Sequence, residues 1–306
     1  MIDTNFKTVL DLINAFPDEQ SCIDHLEYLR WDGGVVSPFD EDSKVYKCAN
    51  NRYRCKNTGK YFNVKTHTIF DNTKVELQKW FLAIWLVTSH KKGISSIQLS
   101  KDIGVTQKTA WFMLQRIRNC FGDDNHNDLD GEIEVDETYV GGKNKNRHKD
   151  KKFKYTQGRS YQDKTPVFGM LQRGGKLNAI CVSDVTKLTL QTHIYNHVYP
   201  NSTIYSDEWH AYKGLSQTYT HGVIQHGQGQ YADGDVCTNG IEGFWSILKR
   251  GIIGIYHYTS RKHLQKYVDE FVFRFNTRNC TESQRFNHFL QNIKNRLRYK
   301  DLIHAT

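Results

Sequence analysis

Residues 132–142 alternate acidic and apolar side chains, and Glu132, Glu134, Asp136 and Thr138 share one face of that alternation. A period of two belongs to an extended strand, whose successive side chains point to opposite faces. Carboxylates two residues apart on one face repel at close range. Such a face is tolerated on a solvated edge strand, or where a bound cation relieves the repulsion. The segment therefore predicts a strand whose three acids, Glu132, Glu134 and Asp136, form a face that a bound cation would suit.

The residues beyond this strand predict the rest of a sheet. Strand patterns recur at 167–172 and 179–182, with Gly174-Gly175 as the hairpin turn between them. A helical period comes next and stops at Pro200, and a further strand at 203–206 runs into Asp207. Strands alternating with helices make this an α/β fold. An acid at the end of a buried apolar strand, beside a new helix, stands where α/β folds place site residues.

The stretch 238–250 reads as a helix carrying acid and base on one face. At about 100° per residue, the step from Glu242 to Lys249 returns to within roughly 20° of its starting direction. Ser246 shares that face, and Ile241, Phe244, Trp245 and Leu248 form an apolar stripe beside it. Asn239 is expected to cap the helix start. Residues 251–258 read as a turn, and two amphipathic helices, 259–278 and 281–298, close the chain. Residues 214–238 read as a loop; its His221, His226 and Asp235 are too loosely spaced for the tight motifs zinc requires.

The amino-terminal part has a different texture. Phe6, Val9, Leu10, Ile13 and Phe16 lie at helical spacing, Pro17-Asp18 breaks the run, and Cys22, Leu26 and Leu29 begin another helix. Three short strand-like pieces, 45–48, 52–55 and 61–64, resemble a zinc ribbon, in which two Cys-x-x-Cys knuckles hold one metal. Here the first knuckle would be Ser37-Pro38-Phe39-Asp40 and the second Cys55-Lys56-Asn57-Thr58. Four soft or imidazole ligands cannot be assembled, so zinc is not expected and aromatics should hold the module. A helix over 75–89 precedes two shorter ones joined at Gly104, the second capped by Thr106, in a helix-turn-helix layout. That layout offers Gln107 and Lys108 to a major groove, with Arg116 and Arg118 for phosphates. Residues 122–130, polar and acidic, read as a linker. A basic tract with Lys145, Arg147, Lys149, Lys151 and Lys152 has no apolar period and suits an arm along a phosphate backbone.

A net charge of +9 over 306 residues favours a polyanionic partner. Seven cysteines at irregular spacings fit reduced thiols, and neither a membrane span nor a signal peptide is evident. The expected location is cytoplasmic, associated with the nucleoid.

Several local motifs resemble the DDE transposases, and within them a group of bacterial insertion-sequence enzymes related to the eukaryotic Merlin elements. They include Lys79-Trp80-Phe81-Leu82-Ala83-Ile84-Trp85, Lys92-Gly93-Ile94-Ser95, Val135-Asp136-Glu137-Thr138-Tyr139-Val140-Gly141-Gly142 and Asp207-Glu208-Trp209-His210-Ala211-Tyr212. Thr238-Asn239-x-x-Glu242-x-Phe244-Trp245-Ser246-x-Leu248-Lys249-Arg250 and Asp269-Glu270-Phe271-x-Phe273-Arg274-x-Asn276-x-Arg278 complete the set. The resemblance implies a ribonuclease-H-like catalytic domain over 123–285. Before it come amino-terminal helices with the degenerate zinc ribbon (1–65) and a helix-turn-helix region (66–122), and after it a basic helix (286–306). It implies Asp136, Asp207 and Glu242 as ligands of two Mg2+ ions, for which Mn2+ can substitute, with Asn239 as the alternative third position. Lys249 and Arg250 would contact DNA. The implied activity is cleavage and strand transfer at transposon ends by a homodimer or higher assembly; the competing reading is a non-catalytic DNA-binding regulator derived from a transposase.

Overall fold

A computed structural model describes residues 6–142, 148–152, 164–225, 236–294 and 296–304. The chain forms two compact units, Met1–Cys120 with Asn279–Thr306, and Phe121–Arg278. The carboxy-terminal residues from Asn279 thus belong with the amino-terminal unit. No helix among the described residues is long and apolar enough to cross a membrane.

In the first unit, α1 (Val9–Ala15) and α2 (Glu19–Arg30) are divided at Pro17-Asp18. Asp18 restarts the helix at once, its side chain accepting from the Ser21 backbone N–H at 2.7 Å. Strands β1 (Val45–Cys48), β2 (Arg52–Cys55) and β3 (Tyr61–Phe62) form an antiparallel meander. Its inner face is aromatic, with Tyr53 stacked on Phe62 at 5.7 Å and edge-on to Trp31 at 5.3 Å. Cys55 is fully buried beneath it. Burial pushes its thiol up, but hydroxyls of Ser37, Ser43 and Thr58 and the Thr58 backbone bring it down to about 6. After the buried α3 (Leu77–Ser89) come α4 (Ser96–Asp102) and α5 (Gln107–Arg118). Ser95 and Thr106 cap them, and Gly104 between takes a φ of +62° that other residues rarely adopt.

In the second unit, β4 (Glu132–Gly141), β5 (Lys164–Gln172) and β6 (Leu177–Cys181) form an antiparallel meander. Helix α6 (Lys187–His197) leads to β7 (Thr203–Asp207) and then β8 (Thr220–Ile224), both parallel to β4. The order β6-β5-β4-β7-β8 is the ribonuclease-H-like arrangement. Helices α7 (Asn239–Gly251) and α8 (Arg261–Asn276) complete the unit. Each face of the sheet buries its own core: Ile133, Val135, Phe168 and Met170 with Leu190 and Ile194 of α6, and Val167 and Leu171 with α7 and α8.

Three segments differ from their sequence expectations. Part of the loop expected at 214–238 is β8, an edge strand whose Thr-His-Gly-Val-Ile sequence has too little apolar period to announce itself. Residues 251–258 are not simply a turn, because α7 runs on into a wider π-type turn, Ile252–Tyr256. The expected linker at 122–130 is fixed to the sheet. Its buried Asn125 donates to the Ala179 carbonyl at 2.6 Å and accepts from the Ala179 N–H at 2.7 Å. Gln265 accepts from the Cys181 N–H, and Asn276 both accepts from and donates to Leu177. Side-chain amides therefore satisfy the outer edge of β6, which would otherwise offer unpaired backbone groups.

The chain then returns to the first unit as α9 (Glu282–Gln291) and α10 (Tyr299–His304), so the helix expected over 281–298 is shorter. Phe286 of α9 packs against Phe6 and Phe81 with centroids 5.3 and 5.4 Å apart. Each such buried ring contributes about 1.5–3 kcal/mol.

Candidate active site

Register brings the first two acids together. Parallel β4 and β7 pair Glu134 with Tyr205, so two residues on, Asp136 in the middle of β4 stands beside Asp207 at the end of β7. Asp136 is half-buried. Desolvation first, then the charges of Glu137 and Asp207, push its carboxyl up to about 8. The Asp207 carboxylate also accepts from the Trp209 N–H at 3.0 Å, which fixes the turn after β7.

Helix α7 docks onto this pair through its tryptophan. The Trp245 indole N–H donates to Asp136 Oδ2 at 3.0 Å. Gly169, opposite Asp136 on β5, makes the room: a Cβ there would lie 2.7 Å from Trp245 ring atoms. Lys249, one turn on, is within electrostatic reach of Asp136; burial lowers its ammonium and Asp136 raises it. Ser246 is exposed on the same face.

Glu242 lies on the turn before Trp245, exposed, its Oε1 accepting from the Thr238 hydroxyl at 3.3 Å. Asn239 is exposed as well, and the capping position belongs to Thr238, not to Asn239. Among the described residues no three His, Cys, Asp or Glu side chains are grouped so as to hold a metal ion. The structure thus joins Asp136, Asp207 and Lys249, and leaves Glu242 facing solvent.

Glu134 is the correction on the acidic face. It is 3% exposed, and its carboxylate accepts from the Ile241 backbone N–H at 2.9 Å and from Arg173 Nε at 3.0 Å. A buried anion thus caps the positive start of α7. Glu132 accepts from the Tyr205 hydroxyl at 3.0 Å and pairs with Arg173 at 3.5 Å. Arg173, not a metal, relieves the repulsion between these two acids.

Sequence reasoning missed Glu137 and Tyr212. Both are buried, and the Tyr212 hydroxyl donates to Glu137 Oε2 at 2.8 Å, tying the turn after β7 to the far face of β4. The signal was available: a buried tyrosine or tryptophan normally finds a partner for its polar atom, and so did Trp245.

Of the candidate DNA contacts, Gln107 and Lys108 are exposed at the start of α5, with Gln107 Nε2 donating to Ser96 at 2.8 Å. Arg116 and Arg118 are not available to phosphates, being only 6% and 1% exposed. The Arg116 guanidinium donates to the carbonyls of Ile69, Asp71 and Leu297, knitting its unit together. Arg250, Lys149 and Lys152 are exposed. Lys145, Arg147 and the side chain of Lys151 lie outside the described residues, as do His226 and Asp235. His221 is engaged with the Ser206 hydroxyl at 2.9 Å.

A divalent cation suits the Asp136–Asp207 pair on chemical grounds. The donors are hard oxygens, and the charges of Glu137 and Asp207, which add to desolvation in raising Asp136, would be offset by a cation.

Known proteins narrow the possibilities. The profile of the ISXO2-like transposase domain matches residues 128–276. The uncharacterized protein in transposable element ISH50 of Halobacterium salinarum is 30% identical over 275 residues, covering 86% of this chain and 92% of that protein. A pre-cleavage Mos1 transpososome aligns at 11% identity over 67% of this chain and 75% of that one, with a TM-score of 0.28. A Mos1 paired-end complex with the left transposon end aligns at 11% identity over 71% and 80%, with a TM-score of 0.30.

Proposed function

Because this chain belongs to the family of the ISXO2-like transposase domain, we propose that it is an active DNA transposase, which binds the ends of its insertion sequence and cleaves and joins strands there. The observation that carries this reading is the juxtaposition of Asp136 and Asp207 on neighbouring parallel strands, with Lys249 in reach.

Asp136 and Asp207 would hold magnesium, or manganese in its place, with Glu242 as the third ligand. From α7, Glu242 lies about 60° around the helix from Trp245, so it borders the same site. When bound, the metal supplies charge neutralisation and polarisation of an attacking oxygen in phosphodiester chemistry. The protein's own groups do the positioning. The Trp245 indole holds Asp136 Oδ2. Lys249 offers its ammonium to a phosphate next to the scissile bond. Glu137 and Tyr212 brace the strand and turn that carry the two aspartates. Gln107 and Lys108 would read a major groove from α5, while Arg250 and the exposed lysines Lys149 and Lys152 would contact the backbone. Holding two ends at once calls for at least a dimer.

The test is a magnesium-dependent cleavage and strand-transfer assay on the element's terminal repeats. Asp136→Asn and Asp207→Asn should abolish both steps while leaving end binding intact, and Glu242→Gln should do the same. Full strand transfer by Glu242→Gln, with Asn239→Ala inactive, would move the third ligand to Asn239. The solvent-facing Glu242 favours a second reading, a DNA-binding regulator derived from a transposase. End binding by the wild type with no cleavage under any divalent metal would select it.

A further inference from the structure

The outward face of the β1–β3 meander is unlike the rest of its unit. Register places Tyr46, Arg54 and Tyr61 in one row across the three strands. Tyr46 and Tyr61 are 43% and 50% exposed, whereas Tyr53 and Phe62 on the other face are buried. Arg52 and Arg54 lie over the Tyr61 ring at 4.7 and 5.9 Å, and Lys44 lies over Tyr46 at 5.6 Å. From Ser43 to Phe70 the chain carries lysines and arginines but no Asp or Glu. Among the described residues, none of Lys44, Arg52 and Arg54 forms an ion pair.

We propose that this face is a second DNA-contact surface, which grips the phosphate backbone of duplex DNA separately from α4 and α5; it rests on the reading of the chain as a DNA-handling protein. Exposed cations that make no ion pair among the described residues are suited to an anionic partner. Ring support restricts the guanidinium groups, so less side-chain freedom is lost when a phosphate binds. Arg52 and Arg54 alternate along one strand, about 7 Å apart, a spacing that suits neighbouring phosphates. The ring faces are already covered by cations and are not free to stack unpaired bases, so the occupant is backbone, not splayed single strand.

The experiment measures binding of the full chain, in EDTA so that no cutting occurs, to a short duplex of arbitrary sequence across a salt series. Arg52→Ala/Arg54→Ala should weaken binding about tenfold and flatten the log–log salt slope by about 2, since each phosphate contact contributes roughly 0.9. Both residues are exposed, so the thermal midpoint should not move, and Arg52→Lys/Arg54→Lys should keep most of the slope. An unchanged slope in the alanine variant overturns the proposal, and so does a larger loss on single strands than on duplex. A wild type that binds and cuts its ends while the alanine variant matches it sinks this surface alone. A wild type with no affinity for duplex sinks the transposase reading with it.

Discussion

Asp136 is a carboxyl that holds its proton near neutrality, pushed up to about 8 by burial and by Glu137 and Asp207. A group whose folded pKa is raised adds stability in full below its unfolded value. That stability is lost as pH rises through the folded value, here between about 4 and about 8. Metal-free protein should therefore melt lower at pH 8 than at pH 5.5. Asp136→Asn should raise the pH 8 midpoint by a few degrees, with a smaller gain at acid pH. Millimolar magnesium should lift the wild-type midpoint at pH 8 and leave the variant unmoved; equal melts of the two proteins at pH 8 would rule out a strained carboxylate. Glu134 makes a different prediction, since it serves the fold. Glu134→Ala strands the Ile241 N–H and takes from Arg173 the nearer of its two carboxylate partners, and should cost about 2–3 kcal/mol in urea unfolding. Glu134→Gln, which keeps an acceptor, should cost less.

At the scale of elements, α7 is held to the sheet where Gly169 gives way to Trp245. Gly169→Ala should push the helix outward at a cost of about 1–3 kcal/mol. It should also lower cleavage at least tenfold by detaching Trp245 from Asp136, visible as changed near-ultraviolet dichroism with the far-ultraviolet spectrum kept. The amide-lined edge of β6 can be tested separately. Asn276→Ala should speed hydrogen exchange at the Leu177 amide and cost about 1 kcal/mol, leaving metal-dependent activity in place. Most elements were legible because their signals are local. The alternation at 132–142 specified β4, the stripe of Ile241, Phe244, Trp245 and Leu248 specified α7, and Thr106 announced a helix start. β8 was not legible, since an edge strand needs no strong apolar period, and Asn125 looked like linker because its partners are remote in sequence.

At the scale of the molecule, the two ends of the chain build one unit and the middle builds the other. A chain truncated after Arg278 should lose the packing of Phe286 with Phe6 and Phe81, and with it the tertiary dichroism of the first unit, while residues 121–278 keep their sheet. Thermal melts and limited proteolysis of the truncated chain would check this. The sequence by itself determined the α/β class, most element positions, the two strand aspartates and the helix that bears Glu242 and Lys249. These are written in short-range periodicity and in residue types suited to hard cations. Only the tertiary structure decided which acids meet. Register sets Asp136 beside Asp207, while Glu134 is spent on a helix start and Arg116 on backbone carbonyls. Such assignments depend on partners far away along the chain, which no local pattern records.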